Sequence, residues 1–245
     1  MVHTRESRRS ASEIKFVLDP ALGNRVREWA RAELEPDPHG GGPFGDEYRT
    51  TSLYFDTAMY DVFHRRESFG RAKFRIRRYS EHDFVFLERK LRKPGFLFKR
   101  RTRTPIEVLH QLERSEADGR WLGDWFHRRL LARRLQPVCR LSYHRMARGL
   151  SVGGTTVRLT LDDSVAVAAI HAVQFNESPA LPILQQQAIL ELKFHGHLPT
   201  LFKRLIEELR LTSRTASKYR LGMTALGHVP TIEASSALGG KNPNG

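Results

Sequence analysis

One cysteine in 245 residues, Cys139, leaves no internal disulfide to form and rules out the paired-thiol spacing of a structural zinc site. It sits between Val138 and Arg140, a position suited to a small buried hydrophobe. No run of about 18 apolar residues occurs, so no membrane-spanning helix is expected. The basic start MVHTRESRRSAS lacks the apolar stretch of a signal peptide, and the expected location is the cytoplasm. The Gly-rich stretch EPDPHGGGPFGD (35–46) has no Gly-Lys-Ser or Gly-Lys-Thr after it and no strand before it, which argues against a nucleotide-cradling loop. The 11 histidines are scattered, no base–nucleophile arrangement of a hydrolase triad is visible, and no internal repeat appears. Acidic residues are the scarcer sign. With 27 Asp and Glu against 41 Lys and Arg, the net charge is +14, and the pI is near 10.5. Such an excess points to a polyanionic partner: nucleic acid, an anionic membrane or phosphate chains.

What the chain does have is alternation. In RAKFRIRRYSEHDFVFLERKLR (71–92), Lys73, Arg75 and Arg77 share one side of an extended segment while Phe74 and Ile76 take the other. After a polar turn over 80–83, Glu88, Lys90 and Arg92 share a face, with Val85, Leu87, Arg89 and Leu91 opposite. The same composition returns in Glu13 and Lys15, in Tyr143 and Arg145, in Arg158, Thr160 and Asp162, and in Glu191 and Lys193. One such row is an ordinary wet face of a half-buried sheet. Rows that are poor in Ser, Thr, Asn and Gln and rich in cations, repeated across five segments, suggest a lined cavity instead. The aromatics Phe74, Phe86 and Phe194 are expected to face away from these rows or to sit in the core. Nucleic-acid surfaces interleave aromatics with basic stripes, so no nucleic-acid partner is expected.

A hydrophobic share of 40% supplies a sizeable core. The expected layout is a loose arm over 1–11, one β-rich domain over 12–228 and a disordered tail over 229–245. Asp19 and Pro20 mark a helix start, with Leu22, Val26, Trp29 and Ala30 as its apolar stripe. The segment 106–135 has helical period, divided near Gly119, and 199–211 is an amphipathic helix. Glu13, Glu88 and Glu191 are the carboxylates expected to face inward among the cations. Hard oxygen donors beside phosphate suit Mg²⁺ or Mn²⁺, which bridge phosphates and keep several waters. A bare cation cluster would be destabilised by repulsion and desolvation, and a chain of phosphates would satisfy it.

The series EIKF (13–16), SLYFDT (52–57), KFRIRRY (73–79), FLERK (86–90), YHR (143–145), VRLTLDD (157–163), LELKF (190–194) and SKYR (217–220) resembles the VTC domain. That is the polyphosphate polymerase domain of vacuolar transporter chaperone complexes, one of the triphosphate tunnel metalloenzymes. The resemblance implies an α+β fold: a closed antiparallel eight-stranded β-barrel tunnel with flanking helices. It implies that Lys15, Arg75, Arg77, Lys90, Arg145, Arg158 and Lys218 hold and neutralise the phosphates, that Tyr143 and Ser217 touch phosphate, and that Glu191 binds the metal. Arg92, where the yeast polymerase has a His, and Lys193, beside Glu191, join the substrate contacts. Hydrolytic and cyclase branches of the superfamily usually open with two alternating glutamates before the lysine. This chain has only Glu13 before Lys15, which favours transfer over hydrolysis. The implied activity is transfer of the γ-phosphoryl group of ATP to growing polyphosphate with Mn²⁺ or Mg²⁺, the alternatives being a tripolyphosphatase or nucleoside triphosphatase and a non-catalytic polyphosphate-binding module. A separate membrane protein is a possible partner, because the eukaryotic relatives carry membrane helices and this chain has none.

Overall fold

The computed structural model describes residues 5–7, 11–93, 96–152, 155–176 and 178–227. The strands are β1 (Arg5–Ser7), β2 (Ala11–Leu18), β3 (Glu35–Pro36), β4 (Glu47–Asp56), β5 (Arg71–Tyr79), β6 (Phe84–Lys93), β7 (Phe96–Pro105), β8 (Gln136–Val152), β9 (Thr155–Ala169), β10 (Leu181–Pro182) and β11 (Ala188–His195). The helices are α1 (Pro20–Glu33), α2 (Asp61–His64), α3 (Asp124–Ala132), α4 (Thr200–Glu208) and α5 (Lys218–Ala225). Among the described residues no helix is long and apolar enough to cross a membrane. Of the expected arm over 1–11, Arg5–Ser7 pair with β7 and Ala11 opens β2. The remainder of the arm and the tail over 229–245 lie outside the described residues.

Hydrogen-bonded neighbours follow the order β1-β7-β6-β5-β4-β8-β9-β11-β2, with β3 beside β8 and β10 beside β9. The ladders are antiparallel. The expected closed eight-stranded barrel is not found. The sheet is open, because β1 and β2 end the path and no ladder joins them among the described residues. Alternation decides which face a side chain takes. Closure is a separate matter, requiring the two terminal strands to find each other at the right tilt and stagger.

By contact the chain divides into two compact units. The first comprises the described residues before 11 and those within 50–142 and 167–181. Its core forms because alternate residues of β4 to β6 are apolar: Leu53, Phe55, Phe74, Ile76, Val85 and Leu87 are all buried, with Phe126 and Leu130 of α3. Phe55 and Phe126 meet edge to face with centroids 5.7 Å apart. Gly123, just before α3, is a close-approach position, since a Cβ there would lie 2.2 Å from the Trp121 ring. The helix expected over 106–135 is shorter than its period implied. Glu107–Glu113 is a 3₁₀ turn, Gly119 has φ +75°, and α3 supplies the rest. Cys139 is fully buried, and burial pushes its thiol well above its usual pKa.

The second unit comprises 11–49, 143–166 and the described residues from 182 on. Asp19 caps α1, accepting from Leu22 N at 2.8 Å, and the helix buries Val26 and Ala30 against Phe16, Leu159, Leu190, Leu192 and Phe202. Each fully buried side chain of this kind contributes about 1.5–3 kcal/mol. The Gly-rich stretch over 35–46 is fastened to β8 and β9. Arg148 donates to Leu34 O at 2.8 Å and to the fully buried Asp46 at 2.7 Å, while Arg158 pairs with Asp37 at 2.7 Å.

A buried carboxylate also sets the start of α2. Asp56 accepts from the backbone N–H of Thr57 (2.7 Å), Val62 (2.8 Å) and Phe63 (2.9 Å). Asp56→Ala leaves those donors unsatisfied inside the protein. The expected loss is about 3 kcal/mol, read as a lower urea midpoint at unchanged m-value.

Candidate functional site

Each unit carries a cluster of expected site cations around carboxylates. In the second unit the cluster grows from the β2–β11–β9 ladder, where Glu191 lies opposite Lys15 and Thr160, and Lys193 opposite Glu13 and Arg158. The register puts Glu191 among lysines on adjacent strands, because same-face residues alternate in step. Lys15 Nζ lies 2.7 Å from Glu191 Oε1 and 2.9 Å from Glu13. Lys193 takes the other Glu191 oxygen at 2.6 Å. Lys218, at the start of α5, lies 3.5 Å from Glu191 and 2.5 Å from Asp162. Arg145 grips Asp162 with two parallel hydrogen bonds, 2.6 and 2.7 Å. Tyr143 lies beneath both cations, its ring centroid 5.3 Å from the Arg145 guanidinium carbon and 5.1 Å from Lys218 Nζ.

Burial works against the charges of Glu191, Asp162, Lys15 and Arg145, and their partners outweigh it, whereas at Lys193 burial prevails over Glu191 and lowers the ammonium pKa. Burial would raise Glu191, yet Lys193, Lys15 and Lys218 hold it well below the usual carboxylate range. Asp162 is likewise held low by Arg145 and Lys218 against burial. Lys15 and Arg145 are raised by their carboxylates despite burial. The group therefore carries its own counter-ions, Glu13 and Glu191 as expected and Asp162 besides. Asp162 was visible in the alternation of VRLTLDD, but its role as a buried counter-ion was not, because that role depends on Arg145 and Lys218 arriving from two other elements.

In the first unit the β5–β6–β7 ladder places Lys73, Lys90 and Lys99 in one row and Arg75, Glu88 and Arg101 in the next. The third row is Arg77, Phe86 and Arg103. Glu88 is the one acidic residue that these three strands contain. Its Oε2 accepts from Arg75 at 2.6 Å, and Arg101 lies 3.1 Å from Oε1. Burial would raise this carboxyl, but Arg75, Arg77, Lys99 and Arg101 drive it far below its ordinary value. Arg75 also donates to Tyr54 OH at 3.1 Å and Arg77 to Ser52 Oγ at 3.0 Å. Phe86 does not face away as expected. It shares the Glu88 face, with the Arg101 guanidinium 3.4 Å above its ring. Being aromatic suggested core, but its even spacing from Glu88 decides its side.

The remaining expected residues are placed individually. Arg158, on β9, donates to Tyr48 OH at 3.0 Å besides pairing with Asp37. Ser217 caps α5 through its side chain, accepting from Arg220 N. Arg92 lies on β6 opposite Arg71, and its side chain is outside the described residues.

For a divalent metal, the arrangement around Lys15 is informative. Oxygens of Glu13 and Glu191 converge within 2.9 Å of one ammonium nitrogen, so two carboxylates already aim at one cationic centre. No group of three or more His, Cys, Asp or Glu suited to a metal occurs among the described residues. That donor set fits Mg²⁺ or Mn²⁺ only as a two-carboxylate site completed by water and phosphate oxygens, which is how these ions are commonly held. Glu88 has both oxygens facing guanidiniums and Glu191 has both facing ammonium groups, so either carboxylate would exchange cationic partners to hold a metal.

The two clusters line strand faces of an antiparallel sheet with lysine and arginine around buried carboxylates. The VTC-domain family model matches residues 10–227, and the chain belongs to that family. Its fold is similar to that of a Bacillus halodurans protein named as a candidate adenylate cyclase, with 14% identity over 95% of this chain and 99% of that one and a TM-score of 0.50. Similarity extends to the PH1819 protein of Pyrococcus horikoshii (15% identity, 87% and 99% covered, TM-score 0.47). A Hippeastrum protein, named as a candidate adenylyl cyclase with a dominant triphosphatase activity, is 16% identical over 87% and 95%, with a TM-score of 0.46. Comparison with the curated proteins gives no match.

Asp162→Asn tests the charge pairing. It strands Arg145 and Lys218 without their shared anion, and the expected destabilisation is about 3–5 kcal/mol. The folded-state carboxyls lie below their unfolded values, so their contribution is complete above about pH 4.5 and fades as pH falls toward the folded values. For Asp162 that value is about 2. Chemical denaturation across this range should show wild-type stability falling steadily with acid and a shallower fall in the variant.

Proposed function

We propose that this protein is a metal-dependent phosphotransferase that moves the γ-phosphoryl group of ATP onto a growing inorganic polyphosphate chain. The observation that carries the reading is the β5–β7 face, where Lys73, Arg75, Arg77, Lys90, Lys99, Arg101 and Arg103 lie in register on three strands whose one acidic residue is Glu88. Membership of the VTC-domain family supports it. A row of phosphates, each carrying charge, matches a face on which cations repeat every second residue. Strand geometry spaces successive rows about 6.7 Å apart.

In this reading Arg75, Arg77 and Lys90 bind phosphate oxygens and fix the chain in line, and Lys15, Lys193, Lys218 and Arg145 do the same in their own cluster. Positioned cations stabilise charge that builds on the transferred group and on the departing diphosphate, and orientation supplies much of the acceleration. Glu88 and Asp162 hold guanidiniums in place and need no change of protonation. Tyr143 and Ser217 act as polar neighbours of phosphate. Glu191, with Glu13, would hold Mg²⁺ or Mn²⁺, which when bound supplies further positive charge at the phosphoryl oxygens. When phosphate arrives, Lys15 exchanges its carboxylate partners for phosphate oxygens. Ala11 stands where the hydrolytic branches usually carry the first of two glutamates, and this favours transfer over hydrolysis.

Incubation of the purified protein with ATP and Mn²⁺, followed by gel analysis, should reveal polymer and ADP. Release of orthophosphate without polymer would reassign the chain as a triphosphatase. Glu191→Ala is expected to abolish polymer formation while calorimetric binding of tripolyphosphate stays within a few-fold of wild type. A variant that still made polymer at the wild-type rate would dispose of the metal role.

A further inference from the structure

The β5–β7 face changes character along its length. Toward the β5–β6 turn the cation rows give way to rings. Tyr79, His82, Phe84 and Phe86 cluster there, Tyr79 and Phe84 each meeting Phe86 edge-on at 5.6 and 5.7 Å between centroids. His82 lies nearly parallel to Phe84, 4.8 Å between centroids and 16° between planes. The turn that presents His82 is fixed by Arg78, which donates to the carbonyls of His82 at 2.7 Å and Glu81 at 3.0 Å. Guanidiniums interleave with these rings, Arg103 3.7 Å from the Phe84 centroid and Arg101 3.4 Å from that of Phe86. His82 and Arg103 are exposed, and Tyr79, Phe84 and Phe86 are half-buried.

Inorganic phosphate chains have no use for aromatic rings, and half-exposed rings on a wet, cation-rich face are not explained by phosphate contacts. Flat π-surfaces alternating with guanidinium planes are what a nucleobase stacks on. We infer that the Tyr79–His82–Phe84–Phe86 end of this face, with Arg101 and Arg103, is a nucleobase subsite that receives a nucleoside triphosphate in one polarity. The base takes the place of the Arg103 guanidinium on the Phe84 ring, beside His82, and the phosphates run toward the Arg75–Glu88–Arg101 row, four residues or about 13 Å further along β6. The γ-phosphoryl group then points at the Lys73–Lys90–Lys99 row. The inference rests on the proposed triphosphate reading and adds the orientation of the nucleotide. The competing role for the rings is as spacers that hold Arg101 and Arg103 apart.

The two roles separate by comparing a ligand with a base against one without. ATP and inorganic tripolyphosphate are titrated calorimetrically into the full chain, with Ca²⁺ as the only divalent ion so that turnover is suppressed. Phe84→Leu, which keeps apolar bulk and removes the ring, is expected to weaken ATP by about tenfold, with tripolyphosphate within about twofold. His82→Ala, on an exposed turn, is expected to weaken ATP by about threefold with the same indifference of tripolyphosphate. Retained tripolyphosphate binding shows that each variant is folded. Equal loss for both ligands would assign the rings to spacing the arginines, and unchanged ATP affinity in both variants would remove the subsite; either outcome overturns the inference and leaves the phosphotransferase reading standing. Failure of the wild type to bind tripolyphosphate at all would overturn both.

Discussion

Like charges brought onto one face of a sheet repel one another unless an anion is built in among them, and this protein builds in very few. Glu88 alone organises the arginine rows of β5 and β7. Glu191 and Asp162 do the same for lysines and an arginine drawn from β2, β8, β11 and α5. In each case the carboxylate is buried and pays a desolvation penalty that its cationic partners more than offset. These anions let the strands carry their cations in the resting protein, and so they set how the faces are presented to any ligand.

The two clusters are balanced differently. Around Glu191 and Asp162, with Glu13, acids nearly match bases, so a phosphate must compete with pairs already made. The three strands β5–β7 themselves supply many bases and one acid, Glu88, so their own charge favours an anionic ligand. A partner with many regularly spaced charges benefits from the second kind of face, because screening by salt weakens isolated contacts more than a continuous row. The VTC-domain membership and this unequal distribution of charge support the same class of substrate from separate directions.

Much of the site was legible because a strand has a period of two. Lys73, Arg75 and Arg77 on one face, Phe74 and Ile76 on the other, and Glu191 in step with Lys193 could all be read by counting. What counting does not give is the partner strand. Sheet closure was expected and is absent, since it depends on whether the two terminal strands meet. Asp162 was read as one polar residue in a row, yet its importance comes from Arg145, which follows it only in space. Phe86 was assigned by residue type when its position relative to Glu88 already told its side. The helical period over 106–135 gave way to a 3₁₀ turn and a short α3, where Gly119 in a positive-φ conformation and the tight approach at Gly123 interrupt the run.

The lone thiol has a practical corollary. Cys139 is sealed in the first unit's core and its sulfur is disfavoured as a thiolate, so maleimides and disulfide probes should pass the native chain by. An engineered cysteine at any exposed position would then be the sole reactive handle on the folded molecule. Fluorophores or spin labels could be installed one at a time, with no background residue to remove first.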